Sequence, residues 1–303
     1  MPTIALGGAD AGARLDRFLV DALGVSRSQA RRLLASGAVS LEGRTLGYGD
    51  KGLSLPSRGV LEVAPFRLPG EQRAQAASAL DELASGPGWL AVDKPAGRPV
   101  HPLDERETDT VLNAVIACHP EIHGVGEGGL RSGVLHRLDT DTSGVLLLGT
   151  EDSQWTRLRE AFRRHRVEKT YRAILAGRYQ GPEEMKLDLA VARHRPAKVR
   201  VVDEARPRVS RAYPIRQQVR VLELLREATL VEVRIETGFL HQIRVTLAHV
   251  GHAVVGDALY GDAPALAFGA PRQMLHAAHI GYEEISAESP DPKDFTAVLE
   301  SAR

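Results

Sequence analysis

In the stretch "RLDRFLVDAL", Leu15, Phe18, Leu19, Ala22 and Leu23 recur at helical spacing and predict an amphipathic helix that Gly24 stops. Ser26 and Gln29 form a capping-box pattern that opens a second helix, closed by Gly37. Arg27 and Arg31 share one face of it, with Arg32 beside them. Short β-type stretches follow, "AVSLEG" and "LSLPSRGVLEVAP", broken by Gly and Pro. Residues 68–86, "LPGEQRAQAASALDELASG", carry little apolar bulk and predict a partly helical linker. Beyond it, Trp89 to Val92 predict a strand and Lys94 to Gly97 a turn. Val145 to Leu148, an unbroken apolar run between turn signals, predicts a strand buried on both faces. "KTYRAILAG" and "ATLVEVRIETG" predict further strands, and the Trp155–Arg164 and Gln242–His249 regions predict helices. Consecutive strands without regular helical crossovers predict an α+β domain on a mixed, largely antiparallel sheet, not a doubly wound one. The expected organisation is a small α/β module over residues 1–67, a linker over 68–86 and a larger domain over 87–303.

Composition narrows the partners only locally. Lys+Arg and Asp+Glu are both 39 in 303 residues, so net charge does not point to a polyanion. Between Arg193 and Arg220, however, nine Lys/Arg face two acids, while the last 23 residues are acidic, so a zero balance can hide a basic face. Cys118 is the only cysteine, which excludes an intrachain disulfide and a cysteine-based zinc site. The start, "MPTIALGGADAG", lacks the basic region and apolar core of a signal peptide, and no run is long enough to span a membrane. A cytoplasmic monomer without a membrane partner is the expectation.

Asp139, in "VLHRLDTDTSGVLLLGT", stands just before the buried strand, where an ordinary surface acid is out of place. It is either paired inside a structural network or lies at the floor of a site. Three readings compete on residues alone. Asp139-Thr140-Asp141 resembles the paired acids of dehalogenase-type phosphatases, with Asp257 and Asp262 as metal-holding acids, but His136 and Arg137 interrupt the preceding strand. Gly124, Gly126 and Gly129 fit a dinucleotide-binding pattern but follow no strand. His249/His252 and His276/His279 have a zinc-like spacing, which eleven histidines produce readily by chance.

A fourth reading covers more of the chain. "HRLDTDTSGVLLL" resembles the signature of the RluA-type pseudouridine synthases, His-Arg-Leu-Asp-x-x-Thr-Ser-Gly. "VDKPAGRPVHP", "EKTYRAILAG", "TGFLHQIRVTLAHVGHAVVGDALYG" and "RQMLHAAHIGY" are similar to four further segments of that family, in family order, across residues 88 to 283. "GARLDRFLVDALGVSRSQARRLLASGAVSLEGRTL" resembles the small RNA-binding module named after ribosomal small-subunit protein four, a common attachment in that family. The resemblance implies an isomerase that converts uridine in RNA to pseudouridine, with ribosomal RNA of the large subunit as the habitual target and tRNA as the alternative. Such an enzyme must take the base out of its stack.

By resemblance, Asp139 is the essential carboxylate, as nucleophile or as base. Arg244 is its cationic partner, which a buried carboxylate needs to stay ionised. Tyr171 offers a flat face to the uracil, and Arg137 fills the space that the flipped base leaves or holds phosphate. His136, Leu138, Thr142, Ser143 and Gly144 shape the turn, and Arg27, Arg31 and Arg32 bind RNA. No metal and no organic cofactor is implied. Without the resemblance, Tyr171 is equally a cross-strand packing residue and Arg244 a surface helix cation. The chain departs from the pattern at Phe239-Leu240, where Arg-Thr is usual, and at Thr246, where His is common. A non-catalytic RNA-binding protein that kept the fold is the main alternative, and a metal-dependent phosphatase the next.

Overall fold

The computed structural model describes residues 3–25, 27–64, 80–104, 106–194, 197–203, 209 and 211–303; side chains at 27–29, 32, 193 and 194 are not described. The chain divides into two compact units, Met1–Glu71 and Gln72–Arg303.

In the first unit β1 (Thr3–Leu6), α1 (Leu15–Leu23), α2 (Arg27–Ala35), β2 (Val39–Leu41), β3 (Arg44–Leu46) and β4 (Gly59–Val63) make two helices on a four-stranded sheet of order β1-β4-β2-β3. The apolar spacing works as read: Leu15, Leu19, Ala30 and Leu34 join Val39, Leu61 and Val63 in one core. Gly24 ends α1 at φ 64°, a left-handed conformation that costs other residues energy, and its N–H donates to the Val20 carbonyl. Ser26, the expected cap of α2, lies outside the described residues, as do the side chains of Arg27 and Arg32. Arg31 is described, and it has an intramolecular partner: its guanidinium lies 3.7 Å from the buried Asp16 carboxylate.

The second unit contains β5 (Glu82–Gly86), β6 (Trp89–Lys94), α3 (Val111–Cys118), β7 (Ser143–Gly149), α4 (Asp152–Arg163), β8 (Glu168–Ala176), β9 (Glu184–His194), β10 (Ala197–Val201), β11 (Tyr213–Leu224), β12 (Ala228–Ile235), α5 (Gln242–His249), α6 (Ala263–Ala267), β13 (Leu275–Tyr282), β14 (Ile285–Glu288) and α7 (Lys293–Ala302). Among the described residues its ten strands form one sheet of order β10-β9-β11-β12-β8-β13-β7-β6-β5, with β14 on β13. Every pairing is antiparallel except β13 with β7, so the fold is the expected α+β type with a mixed, largely antiparallel sheet. The linker reading is corrected at its end. Residues 82–86 form β5, because their backbone pairs with β6 at the sheet edge, a place that asks little of apolar side chains.

β7 lies between β6 and β13 and is buried throughout, as an unbroken apolar run requires. Leu146 and Leu148 pack with α3, whereas Val145 and Leu147 pack with Leu158 and Ala161 of α4. Farther along the sheet, Ile243 and Leu247 of α5 cover Tyr171, Ala173 and Leu175 of β8. Ile174 points the other way, toward Phe295 and Leu299 of α7. Leu138 packs on both the α3 and the α5 clusters, which puts Asp139 on the α5 side of the sheet.

The basic stretch found in the sequence is partly consumed by the sheet itself. Arg216 pairs with Glu236 and Arg220 with Glu232 across strands, so these two guanidinium groups are neutralised within the unit.

Candidate active site

The loop from His136 to Thr142 delivers Asp139, and its carbonyls from Asp139 to Thr142 are all hydrogen-bonded. The Leu147 N–H donates to His136 Nε2 at 3.0 Å, and the ring stacks on Phe162. Burial pushes His136 down to about 3, in accord with a nitrogen that accepts a backbone N–H. The Thr142 N–H donates to the Asp139 carbonyl, closing the turn. Lys94 Nζ, fully buried, donates to the carbonyls of Pro95, Thr140 and Thr142 at 2.9, 2.7 and 2.8 Å. Burial pushes Lys94 down to about 7, yet three acceptors match the three donors of the charged ammonium. Arg272 takes the carbonyl between, Asp141 O, at 3.1 Å, and is itself held by both oxygens of Asp294. Two buried cations thus gather three consecutive loop carbonyls.

Ser143 and Gly144 have separate reasons to be what they are. Ser143 Oγ accepts from Arg272 Nη2 at 3.1 Å and donates to His276 Nδ1 at 3.0 Å, because His276 Nε2 donates to the Ser289 carbonyl. Gly144 has φ 114°, and a Cβ there would stand 2.2 Å from the Ala277 carbonyl oxygen across the β7–β13 pairing. Thr142 is buried, and its hydroxyl has no hydrogen-bond partner among the described residues.

Asp139 faces α5. Its Oδ2 accepts from Arg244 Nη1 at 2.8 Å, while the other side of the guanidinium grips Asp257 through Nε–Oδ2 at 2.7 Å and Nη2–Oδ1 at 2.9 Å. Asp257 Oδ1 also accepts the N–H groups of Leu259 and Tyr260. Burial alone would lower Arg244, but its bonds to Asp257 and the charges of Asp257 and Asp139 raise it. Burial likewise would raise Asp257, and the Arg244 bonds and charge more than offset it, leaving the carboxyl below its ordinary value. The two acids differ in access, the Asp139 side chain being 20% exposed and that of Asp257 0%. Arg244 is therefore no surface cation, and the phosphatase arrangement is not built: a guanidinium stands between Asp139 and Asp257, Asp141 is exposed, and Asp262 caps α6 through the Ala265 N–H.

Two more groups meet the carboxylate. Tyr171 is buried, and burial first, then the Asp139 charge, raises its hydroxyl, so the ring is a neutral flat surface beside the acid. His241, at φ 52°, holds Nε2 4.0 Å from Asp139 Oδ1. The Val199 N–H donates to the Tyr260 hydroxyl, which in turn donates to His241 Nδ1 at 2.9 Å and leaves the imidazole proton on Nε2, toward Asp139. Oδ2 is held by Arg244, and Oδ1 is turned toward His241.

The structure thus brings together Asp139, Tyr171 and Arg244, with Leu138, Thr142, Ser143 and Gly144 supporting them. Arg137 is exposed on the same loop. Sequence reasoning missed Lys94, Asp257, Tyr260 and Arg272 as parts of the site. Their one signal was membership of "VDKPAG", "GDALYG" and "RQMLHAA", segments read for family order and not for contacts.

The family model described as RNA pseudouridylate synthase matches residues 88–249. An uncharacterized RNA pseudouridine synthase of Chloroflexus aurantiacus is 35% identical over 94% of this chain and 86% of that protein. The ribosomal large subunit pseudouridine synthase D of Zymomonas mobilis is 32% identical over 95% of this chain and 90% of its own length. Among solved structures, human RNA pseudouridylate synthase domain containing 1 superposes with a TM-score of 0.58 at 24% identity, covering 72% of this chain and 87% of that one, a likeness of fold.

Proposed function

The chain belongs to the RNA pseudouridylate synthase family, whose members isomerise uridine in RNA, and from that premise we propose that its target lies in large-subunit ribosomal RNA and that Asp139 does the chemistry. The observation that carries the assignment is the asymmetric hold on Asp139: one oxygen bonded to Arg244, the other 4.0 Å from His241 Nε2, on a side chain that keeps some exposure. An extruded uridine places its ribose at Oδ1 and its ring against Tyr171. As nucleophile, Asp139 bonds to C1′ as the C1′–N1 bond breaks and is displaced when C5 of the turned uracil bonds to C1′. As base, it takes a proton from the sugar as that bond breaks and returns it as C5 bonds to C1′. In both cases C5 then loses its proton and N1 gains one, with solvent as carrier. Arg244, shared with Asp257, keeps the carboxylate oriented and charged.

Arg137 reaches the vacated stack or a phosphate. The module over residues 1–67 adds RNA affinity through Arg27, Arg31 and Arg32, with Arg31 leaving Asp16 to do so. The target RNA places the work in the cytoplasm, performed by a monomer, and among the described residues no helix is long and apolar enough to cross a membrane. The name carried by the Zymomonas mobilis relative supports ribosomal RNA over tRNA. Pseudouridine mapping in RNA from cells with and without the protein tests this. A site lost from large-subunit ribosomal RNA supports it, and a site lost only from tRNA overturns the substrate.

A further inference from the structure

We infer that Phe239, Tyr213 and Arg211 form a stacking site for an unpaired RNA base beside the uridine being isomerised, an inference that rests on the reading above. Phe239 stacks on Tyr213 with ring centroids 4.4 Å apart and 28° between planes. The Arg211 guanidinium carbon lies 4.7 Å from the centre of the Tyr213 ring. Both groups lie against the Tyr213 ring, and the three make one stacked column. Phe239 and Leu240 pack on Leu189, Val199, Ile215 and Val245, which anchors the inner end. Arg211 is exposed and forms the outer end. Among the described residues no carboxylate pairs with it, in contrast to Arg216, Arg220 and Arg234 on the same sheet.

The column is next to the chemistry. Phe239 precedes by two residues His241, whose imidazole is 4.0 Å from Asp139, and two residues span at most ~7 Å of backbone. Extruding a uridine unstacks its neighbour, and planar guanidinium and aromatic faces are what hold unpaired bases. The base extends the column on Arg211 or replaces it on Tyr213. The contact is through ring faces, so it tolerates any base and owes little to phosphate. At position 239 this chain thus has a ring where its relatives' pattern has a cation, exchanging charge for stacking.

The test uses the full chain, a short oligouridylate carrying one 2-aminopurine, and pseudouridine formation in large-subunit ribosomal RNA scored in parallel. Phe239→Leu and Tyr213→Leu are expected to bind the oligonucleotide about tenfold more weakly. The slope of log affinity against log salt stays unchanged, because no phosphate contact is lost. Quenching of 2-aminopurine on binding should disappear with them and return in Phe239→Trp. Arg211→Lys, an exposed change that cannot unfold the domain, keeps the charge and loses the plane, and should weaken binding at the same slope. Phe239→Arg should steepen the slope by up to about one unit. Parent-like affinity and quenching in Arg211→Lys and in folded Phe239→Leu overturn the column, as does a flattened slope in either. If the parent makes no pseudouridine yet these variants still lose the oligonucleotide, the isomerase reading fails and the stacking site stands.

Discussion

Asp139 and Asp257 share one guanidinium, and replacing each by Asn should separate chemistry from stability. Asp139→Asn removes the charge from a side chain that is 20% exposed and makes one bond to Arg244, while Arg244 keeps both contacts to Asp257. The amide oxygen still accepts, so the loss is the charged part of one hydrogen bond, about 1–2 kcal/mol. Isomerisation should nevertheless stop, because an amide serves neither as nucleophile nor as base. Asp257→Asn removes a charge from a fully buried carboxylate that accepts four hydrogen bonds and turns an amide NH2 toward donors. Breaking such a pair costs about 3–5 kcal/mol. For a unit of this size the midpoints should fall by ~2–8 °C for Asp139→Asn and ~6–20 °C for Asp257→Asn. Both tryptophans, Trp89 and Trp155, lie in the larger unit, so selectively excited tryptophan fluorescence follows its melt alone. Activity is read as tritium release from labelled uridine in RNA, at a temperature where both variants are folded. A folded Asp139→Asn protein making pseudouridine at the parent rate would falsify the assignment, and equal melts would show that the two acids do not divide the labour.

Acid should test the Asp257–Arg244 ion pair. Asp257 and Asp294 are held below their ordinary values, the first against its own burial by Arg244, the second chiefly by its bonds to Arg272. A carboxyl lowered in the folded state adds stability that is complete above its unfolded value, near pH ~4, and is lost as pH falls through the folded one. The melt should therefore drop steeply below about pH 4 in the parent and more gently in Asp257→Asn, whereas superimposable acid limbs would remove Asp257 from the account. Gly144→Ala puts a Cβ 2.2 Å from the Ala277 carbonyl oxygen at a φ that alanine resists; a loss above about 3 kcal/mol is expected in denaturant titrations, and a parent-like midpoint would contradict the β7–β13 geometry. Replacing Arg27, Arg31 and Arg32 together with Ala should weaken RNA binding and flatten its salt dependence by up to about one log–log unit per lost contact. An unchanged slope removes them from the interface.

What was legible in the sequence was whatever is written in consecutive residues. The Val145–Leu148 strand, the α1 and α5 helices and the pairing of Asp139 with Arg244 follow from periodicity or motif order. The edge strand at 82–86 was read as linker because "ELASG" has no apolar alternation, and an edge strand is held by backbone bonds that leave no mark on side-chain pattern. Lys94, Asp257 and Arg272 escaped for a different reason. Each works by reaching across the fold to a carbonyl or a guanidinium, and nothing local to a lysine says which carbonyls it will meet. The basic run misled in part, since cross-strand glutamates neutralise Arg216 and Arg220.

The one parallel pairing among the described residues, β13 against β7, also bears on how the protein is made. Ser143 meets His276 across that pairing, so one edge of β7 waits for a strand synthesised more than a hundred residues later. Until β13 leaves the ribosome, the Ser143–Gly144 end of a buried strand already paired with β6 offers an open edge, the kind of template on which nascent chains aggregate. Arg244 and Arg272, both needed to hold the Asp139 loop, arrive in the same late window. A chain interrupted before α5 therefore carries the complete signature motif without either arginine that holds Asp139. The yield of the protein in cells should respond more to chaperone supply than its equilibrium stability suggests.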